Sequence, residues 1–366
     1  MSEKKYFFFF IVLFISAVIL AGKVKQDDPE MAEADMHKYI EMAESSPQIN
    51  ESVRSPFVYR IGAPFIAGLL PFPIPVSFYL LNIAALFFLS YVFLKLLILY
   101  GIDHKKALLL TGTFMFNRYF FQFLAWDYFQ LSDTLSYALL FLSLILIKKN
   151  KLLMFSVVVT ICMIVREVAF LALPFGMVFY LKDHKTGSLL KFLIGFVPAV
   201  LIFFIIRQTI DPQTELSILS AFKDGAAKFL TPAGIIKTLA IPFAPFVFLP
   251  VWFWRETIQF IKKHPVEITL FVFTVVSTLF GSDTERLMTP AAPAIFLLFG
   301  KILMKKQNDK LYISLLLLAF LHSFYHLWGI VQLPNEKYSI ISTGMISIIV
   351  IAAVIFSGKW VNNKND

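Results

Sequence analysis

Runs of apolar residues long enough to enter a bilayer recur along this chain, and most are separated by short polar or basic connections. A helix that crosses the hydrocarbon layer needs roughly 20 predominantly apolar residues. The pattern predicts spans over about residues 6–22, 75–94, 107–124, 131–147, 152–165, 168–181, 189–206, 235–253, 266–280, 287–303, 311–329 and 338–356. Several of these fall short of a straight crossing, so the expected architecture is an all-α polytopic membrane protein with a bundle of about 10–12 transmembrane helices. Residues 1–366 form one membrane domain, with no internal repeat, no low-complexity linker and no soluble terminal domain expected. Two stretches between spans are long, about 23–74 and about 207–234, whereas connections such as KKNK (148–151) and KKQNDK (305–310) are short.

The first long loop contains EADMHKYIEMAESSPQ (33–48), a helix-like segment rich in carboxylates. Asp28 suits an N-cap, Pro29 suits the first helical position, and the SSP at 45–47 is a stop, because the residue before proline avoids helical dihedrals. Asp35, Tyr39 and Ala43 fall at i, i+4 and i+8 and so share one face. The following IGAPFIAGLLPFPIPV (61–76) is apolar but carries four prolines, which predicts an interfacial or re-entrant segment instead of a span.

Composition agrees with the pattern: 58% of residues are apolar, 42 are Phe and mean hydropathy is +0.75. Net charge is +9, and its distribution says why. With the N-terminus placed in the cytoplasm behind Lys4 and Lys5, alternation of the spans puts 20 of the 33 basic residues and 7 of the 24 acidic ones on the inner side. The inner side then carries +13 and the outer side −4, so the basic balance is an orientation signal and predicts no nucleic-acid partner. The first span has the charged end and small-residue stretch of a signal peptide, but is expected to be retained. Cys162 is the sole cysteine, lies inside a span and can form no internal disulfide.

Ionisable groups within or at the rim of the apolar layer are costly, and are candidate functional groups for that reason. Under this topology they collect on the outer side: Asp35, Arg54 and Arg60 from the first loop, Arg118, Asp127 and Asp133 around the third and fourth spans, Arg166–Glu167 in one turn, and Asp283, Glu285 and Arg286 in another. Arginines bind phosphate bidentately, and a carboxylate can take a proton from an acceptor hydroxyl. The same charges could instead pair among themselves. His322 and His326 are four apart, a spacing open to metal, but no neighbouring acid or Cys accompanies them, so hydrogen bonding or substrate contact is expected and no metal site or cofactor is assigned. There is no phosphate-cradling glycine loop and no nucleophile elbow.

The D-x-x-x-Y-x-E-x-A pattern carried by Asp35, Tyr39, Glu41 and Ala43 resembles the start of the first extracytoplasmic loop of GT-C fold glycosyltransferases, especially the aminoarabinose transferase and protein O-mannosyltransferase branches. PFVYRIGAPFIAGLL (56–70), FQLSDTLSYALLFL (129–142), IVREVAFLALP (164–174) and TERLMTPAAPAIFLL (284–298) are similar to later segments of that family in the same order. Many relatives have a second acidic residue directly after the Asp, where this chain has Met36.

The resemblance implies a GT-C-like bundle with a helical first extracytoplasmic loop, in a multi-pass protein of a bacterial inner membrane. It implies transfer of a sugar from a polyprenyl-phosphate donor to a glycan, lipid or protein acceptor on the extracytoplasmic face. In that scheme Asp35 activates the acceptor, Arg60, Arg166 and Arg286 contact the donor phosphate, and Tyr39, Asp127, Asp133, Glu167, Glu285 and His326 contact substrate. No cofactor is called for. A secondary transporter is the alternative from another class, although transporters place their charges near the midplane of two related halves. A polymerase, ligase or acyltransferase of lipid-linked glycans, or a scaffold whose charges serve packing, are the others.

Overall fold

The computed structural model describes residues 3–24, 35–182, 186–212, 217–243, 248–281, 283–305 and 309–326. Within them the chain is helical, without strands: α1 (Glu3–Ala21), α2 (Asp35–Glu44), α3 (Gly62–Leu69), α4 (Ile74–Leu99), α5 (His104–Met115), α6 (Phe123–Trp126), α7 (Leu131–Lys148), α8 (Leu152–Val165), α9 (Ala172–Lys182), α10 (Thr186–Thr209), α11 (Ile218–Phe229), α12 (Pro232–Leu239), α13 (Phe248–Trp252), α14 (Trp254–Lys263), α15 (Pro265–Thr278), α16 (Thr284–Leu287), α17 (Ala292–Lys305) and α18 (Asp309–His326). Among the described residues, five helical segments are long and apolar enough to cross a membrane: Glu3–Ala21, Ile74–Leu99, Tyr128–Lys148, Gly187–Thr209 and Thr284–Met304. The described residues are those of an all-helical, membrane-embedded protein. The spans expected over 311–329 and 338–356 lie partly and wholly outside the described residues.

Helix α7 is the axis. It is apolar nearly all round, as a helix buried on every side must be, and packs between α4 and α8. Ser132, Ser136, Ala138 and Ser143 keep its surface small enough for close approach, and the Ser136 and Ser143 hydroxyls are satisfied by donating to the backbone carbonyls of Asp133 and Leu140. An aromatic cluster ties α4, α5, α7 and α17 together. Phe93 stacks on Phe114 at 4.4 Å and meets Phe296 edge-on at 5.4 Å and Phe141 at 5.9 Å. Helices α1 and α10 lie outside, with most of their apolar side chains accessible, as lipid-facing helices would have them.

The first loop forms as its sequence signals suggest. Helix α2 stops at Glu44, just before the SSP turn, and buries Met36, Tyr39, Met42 and Ala43 against α3 and its neighbours. The proposed cap at Asp28 and Pro29 lies outside the described residues. The proline-rich 61–76 stretch is not a span: α3 is 8 residues long, and Pro73 and Pro75 mark the start of α4. At Gly68 there is no room for a Cβ, because the Ala43 carbonyl and Ser46 side chain of the α2 end come directly against it.

The span expected over 107–124 is broken. Helix α5 ends at Met115, and a single π-turn at Arg118–Gln122 redirects the chain into α6. Asn117 makes the break: its side-chain oxygen accepts from the backbone N–H groups of Tyr119 and Phe120, while its amide donates to the Pro242 carbonyl. Buried amides also bind carbonyls at the break and beside it, on α1 and α6. Gln122 donates to Met115 and Ala17, and Asn82 donates to Leu124. Backbone interrupted inside an apolar layer needs such internal partners. The span expected over 235–253 is likewise interrupted, by a 3-10 turn at Ile241–Phe243 that follows α12.

Candidate functional site

Three elements bring charge to one end of α7. A 3-10 turn at Phe57–Tyr59 delivers Arg60 from the first loop, the C-terminus of α8 delivers Arg166 and Glu167, and the short α16 delivers Arg286, with Asp283 immediately before it. They meet Asp133, in the first turn of α7, where a carboxylate is also favoured by the helix dipole.

Asp133 is wholly inaccessible and bridges two guanidiniums. Oδ1 pairs with Arg166, and Oδ2 pairs with Arg286 Nη1 at 2.8 Å. Arg286 also donates to the Gln130 side-chain oxygen, and its Nε meets Asp283 at 3.1 Å. Arg60 grips Glu167 through two bonds, Nη2 to Oε1 at 2.6 Å and Nε to Oε2 at 3.3 Å, and its Nη1 donates to the Tyr39 hydroxyl at 3.4 Å. This fork-on-carboxylate geometry is the strong form of the pair. Burial alone would lower the Arg60 pKa, but Glu167 and Tyr39 raise it well above the ordinary arginine value. The Glu167 carboxyl goes the other way: burial would raise it, yet Arg60 and Arg166 together hold it at about 2.

Beside this network lies a cavity of about 490 Å³, lined by Asp35, Arg54, Phe57, Arg60, Tyr137, Arg166, Glu167, Phe170, Asp224, Lys228, Phe280, Asp283 and Arg286, among others. Asp35 stands at the N-terminus of α2, partly accessible, and is oriented by Lys38 one turn on at 3.1 Å. Lys38 itself lies over the Phe57 ring, 4.4 Å from its centre. The cavity therefore combines one lightly held carboxylate with a wall of tightly held guanidiniums. Chemically, that can deprotonate a bound hydroxyl and stabilise an anion beside it.

Of the residues expected to contact donor or acceptor, Asp35, Arg60, Arg166, Glu167 and Arg286 line this cavity. Tyr39, Asp127, Asp133 and Glu285 do not. Tyr39 is fully buried between Arg60 and Phe57, where its ring makes an edge contact. Asp133 sits behind the wall as the link between two arginines. Asp127 is buried against Gln130, at 3.0 Å, and burial pushes its carboxyl up to about 6 despite that bond. Glu285 turns toward Lys237 on α12 at 3.5 Å. The side chains of His322 and His326 lie outside the described residues.

Other lining residues were not expected. Tyr137 follows Asp133 by one turn on α7, so the i+4 rule applied to Asp133 points to it. Asp224 and Lys228 stand one turn apart on α11, in a loop whose sequence carries no motif; its amphipathic pattern is the signal that marks it as a helix. Among the described residues, no group of three or more His, Cys, Asp or Glu side chains is placed to hold a metal ion.

Comparison with known proteins adds nothing to this picture, since no family model, curated protein or solved structure matches the chain.

Proposed function

We propose that this protein is a GT-C-like glycosyltransferase that moves a sugar from a polyprenyl-phosphate donor to an acceptor at the extracytoplasmic face of a bacterial inner membrane. The observation that carries the reading is the placement of Asp35 in one cavity with Arg60, Arg166 and Arg286. The acceptor hydroxyl loses its proton to Asp35, and its oxygen attacks the anomeric carbon. The bond from that carbon to the phosphate oxygen breaks, and the lipid phosphate leaves with the electron pair. Guanidiniums beside the cavity offset the charge that develops on the leaving phosphate. A single displacement of this kind inverts the anomeric centre and needs only one base. A transporter reading is less well supported, because the charges gather at one end of α7 and not halfway along it.

The test is Asp35→Asn. Its side chain contacts Lys38 and is otherwise lightly held, so the variant folds normally. Transfer from a radiolabelled polyprenyl-phosphate sugar, measured with the full-length protein in proteoliposomes, falls by roughly 10²–10⁴-fold, the usual worth of a general base. Full transfer activity in the folded variant removes Asp35 from that role.

A further inference from the structure

The cavity's positive charges are of two kinds. Arg60, Arg166 and Arg286 are all buried and all already matched, to Glu167, Asp133 and Asp283. Three guanidiniums against three carboxylates leave that wall close to neutral. For a phosphate to bind Arg166 or Arg286 directly, the buried pair with Asp133 would have to open, which strands a charge in a poorly solvated place, and at Arg60 it would have to displace the two-point grip of Glu167. Arg54 and Lys228 differ. Both line the cavity, both are exposed, and neither forms an ion pair among the described residues.

A second, independent observation concerns Tyr137. Tyr137 is 1% exposed and lines the same cavity, yet its hydroxyl has no hydrogen-bond partner among the described residues. A buried hydroxyl without a partner is costly, and a bound molecule with a polar oxygen relieves that cost.

We propose that Arg54 and Lys228 form the phosphate seat at the mouth of the cavity, while the Tyr137 hydroxyl hydrogen-bonds the neutral, hydroxyl-bearing part of the same ligand. The inner arginines, each matched by a carboxylate, then hold the wall in place and are not the grip. The surroundings of Lys228 favour a lipid as the source of the phosphate. Leu219, Phe222 and Leu230, on α11 and just after it, are 63%, 37% and 74% exposed, so the helix that brings Lys228 to the mouth also offers apolar surface for a hydrocarbon chain. This assignment deepens the glycosyltransferase reading and rests on it for the identity of the ligand.

Binding of two probes to the full-length protein in nanodiscs decides the matter, with farnesyl phosphate as the lipid-borne anion and inorganic phosphate as the free one. The variants are Arg54→Ala, Lys228→Ala, the double variant and Tyr137→Phe, with Lys151→Ala, remote from the cavity, as control. Each lost cation weakens farnesyl phosphate by about tenfold, as expected for a charge-assisted hydrogen bond, and Lys151→Ala changes nothing. Arg54 and Lys228 are exposed, so unchanged thermal unfolding accompanies the loss. Tyr137→Phe leaves farnesyl phosphate binding intact but raises KM for the sugar-bearing donor.

Undiminished binding of farnesyl phosphate to the double variant, with loss in Arg166→Lys, overturns the seat while leaving the enzyme reading standing. If inorganic phosphate binds and depends on Arg54 and Lys228 but farnesyl phosphate does not bind, the seat stands and the lipid-linked donor falls. Failure of both probes to bind the wild type overturns both.

Discussion

The two ends of α7 solve the same problem, charge beside an apolar core, in different ways. Asp133 and Lys148 are 15 residues apart, which at 1.5 Å per residue separates the ends by ~22 Å. Around Lys148 the cations are lysines. Its ammonium lies over the Tyr100 ring, 3.3 Å from the centre, and 3.7 Å from Glu267, which also meets His264 at 3.5 Å. Lys301 donates to the Tyr100 carbonyl at 2.9 Å, and Lys182 donates to the Lys263 carbonyl at 3.2 Å. These flexible side chains cover apolar surface with their stems and keep their heads near water. Around Asp133 the cations are arginines with planar, forked heads: Arg286 is held by Asp133, Asp283 and Gln130, and Arg166 by Asp133. A lysine collar tolerates motion, while an arginine–carboxylate lattice holds a wall in place beside a cavity. The end that is built rigidly is the end where the cavity lies.

Removing the hub of each end exposes the contrast. Asp133→Ala leaves Arg166 and Arg286 facing each other with their shared carboxylate gone. Breaking a buried pair from one side costs about 3–5 kcal/mol, so this is the largest effect expected in the protein. It should be read as a drop in thermal unfolding temperature of the detergent-solubilised chain, with loss of the transfer activity proposed for the cavity. Stability close to wild type would mean that the lattice is not what holds α7, α8 and α16 together.

Glu267→Gln is the matching change at the lysine end. Gln keeps the size and can still hydrogen-bond Tyr100, and Lys148 retains access to water, so the loss should be about 1–2 kcal/mol. Should this variant fall as far as Asp133→Ala, the two ends do not differ in the way the side chains suggest.

Much of this contrast is legible in the sequence, because burial is written in apolar runs and charges inside them stand out. The grouping of Arg60, Arg166, Glu167 and Arg286 follows from alternation of the spans alone. What hydropathy could not see is where an apolar run bends. Residues 107–124 read as one span because the polar residues scattered through it leave the run apolar on average, yet the amides of Asn117 and Gln122 are what make and then satisfy the break. Nor does a list of charges say which way a side chain turns. Glu285 and Arg286 are neighbours, and the helical turn of α16 sends one to Lys237 and the other to the cavity wall. Tyr39 shares a helix face with Asp35, but its own side chain packs against Arg60 and Phe57 instead of lining the cavity. Tyr137 was invisible because an uncharged hydroxyl in an apolar helix carries no signal by itself.

The smallest expected effect tests whether the arginine end is as rigid at its edge as at its centre. The Arg60–Glu167 pair lies at that edge, where 36% of the Glu167 side chain remains accessible and water screens the attraction. Glu167 titrates near 2 in the folded protein, below the ordinary glutamate value of 4.5. A depressed carboxyl pKa contributes stability that is fully present above the unfolded value and disappears as pH falls through the folded one. The pair's contribution should therefore be constant above about pH 5.5 and decline from about pH 4.5 down toward 2. After discounting for screening, it is worth about 1 kcal/mol. Comparing the wild type with Glu167→Gln by thermal unfolding isolates it. The two curves should run parallel at neutral pH, with the variant lower, and converge on acidification. A gap that persists undiminished as pH falls to about 2 would assign the stabilisation to packing of the side chain and not to its charge, and would make the edge of the lattice as fixed as the Asp133 hub behind it.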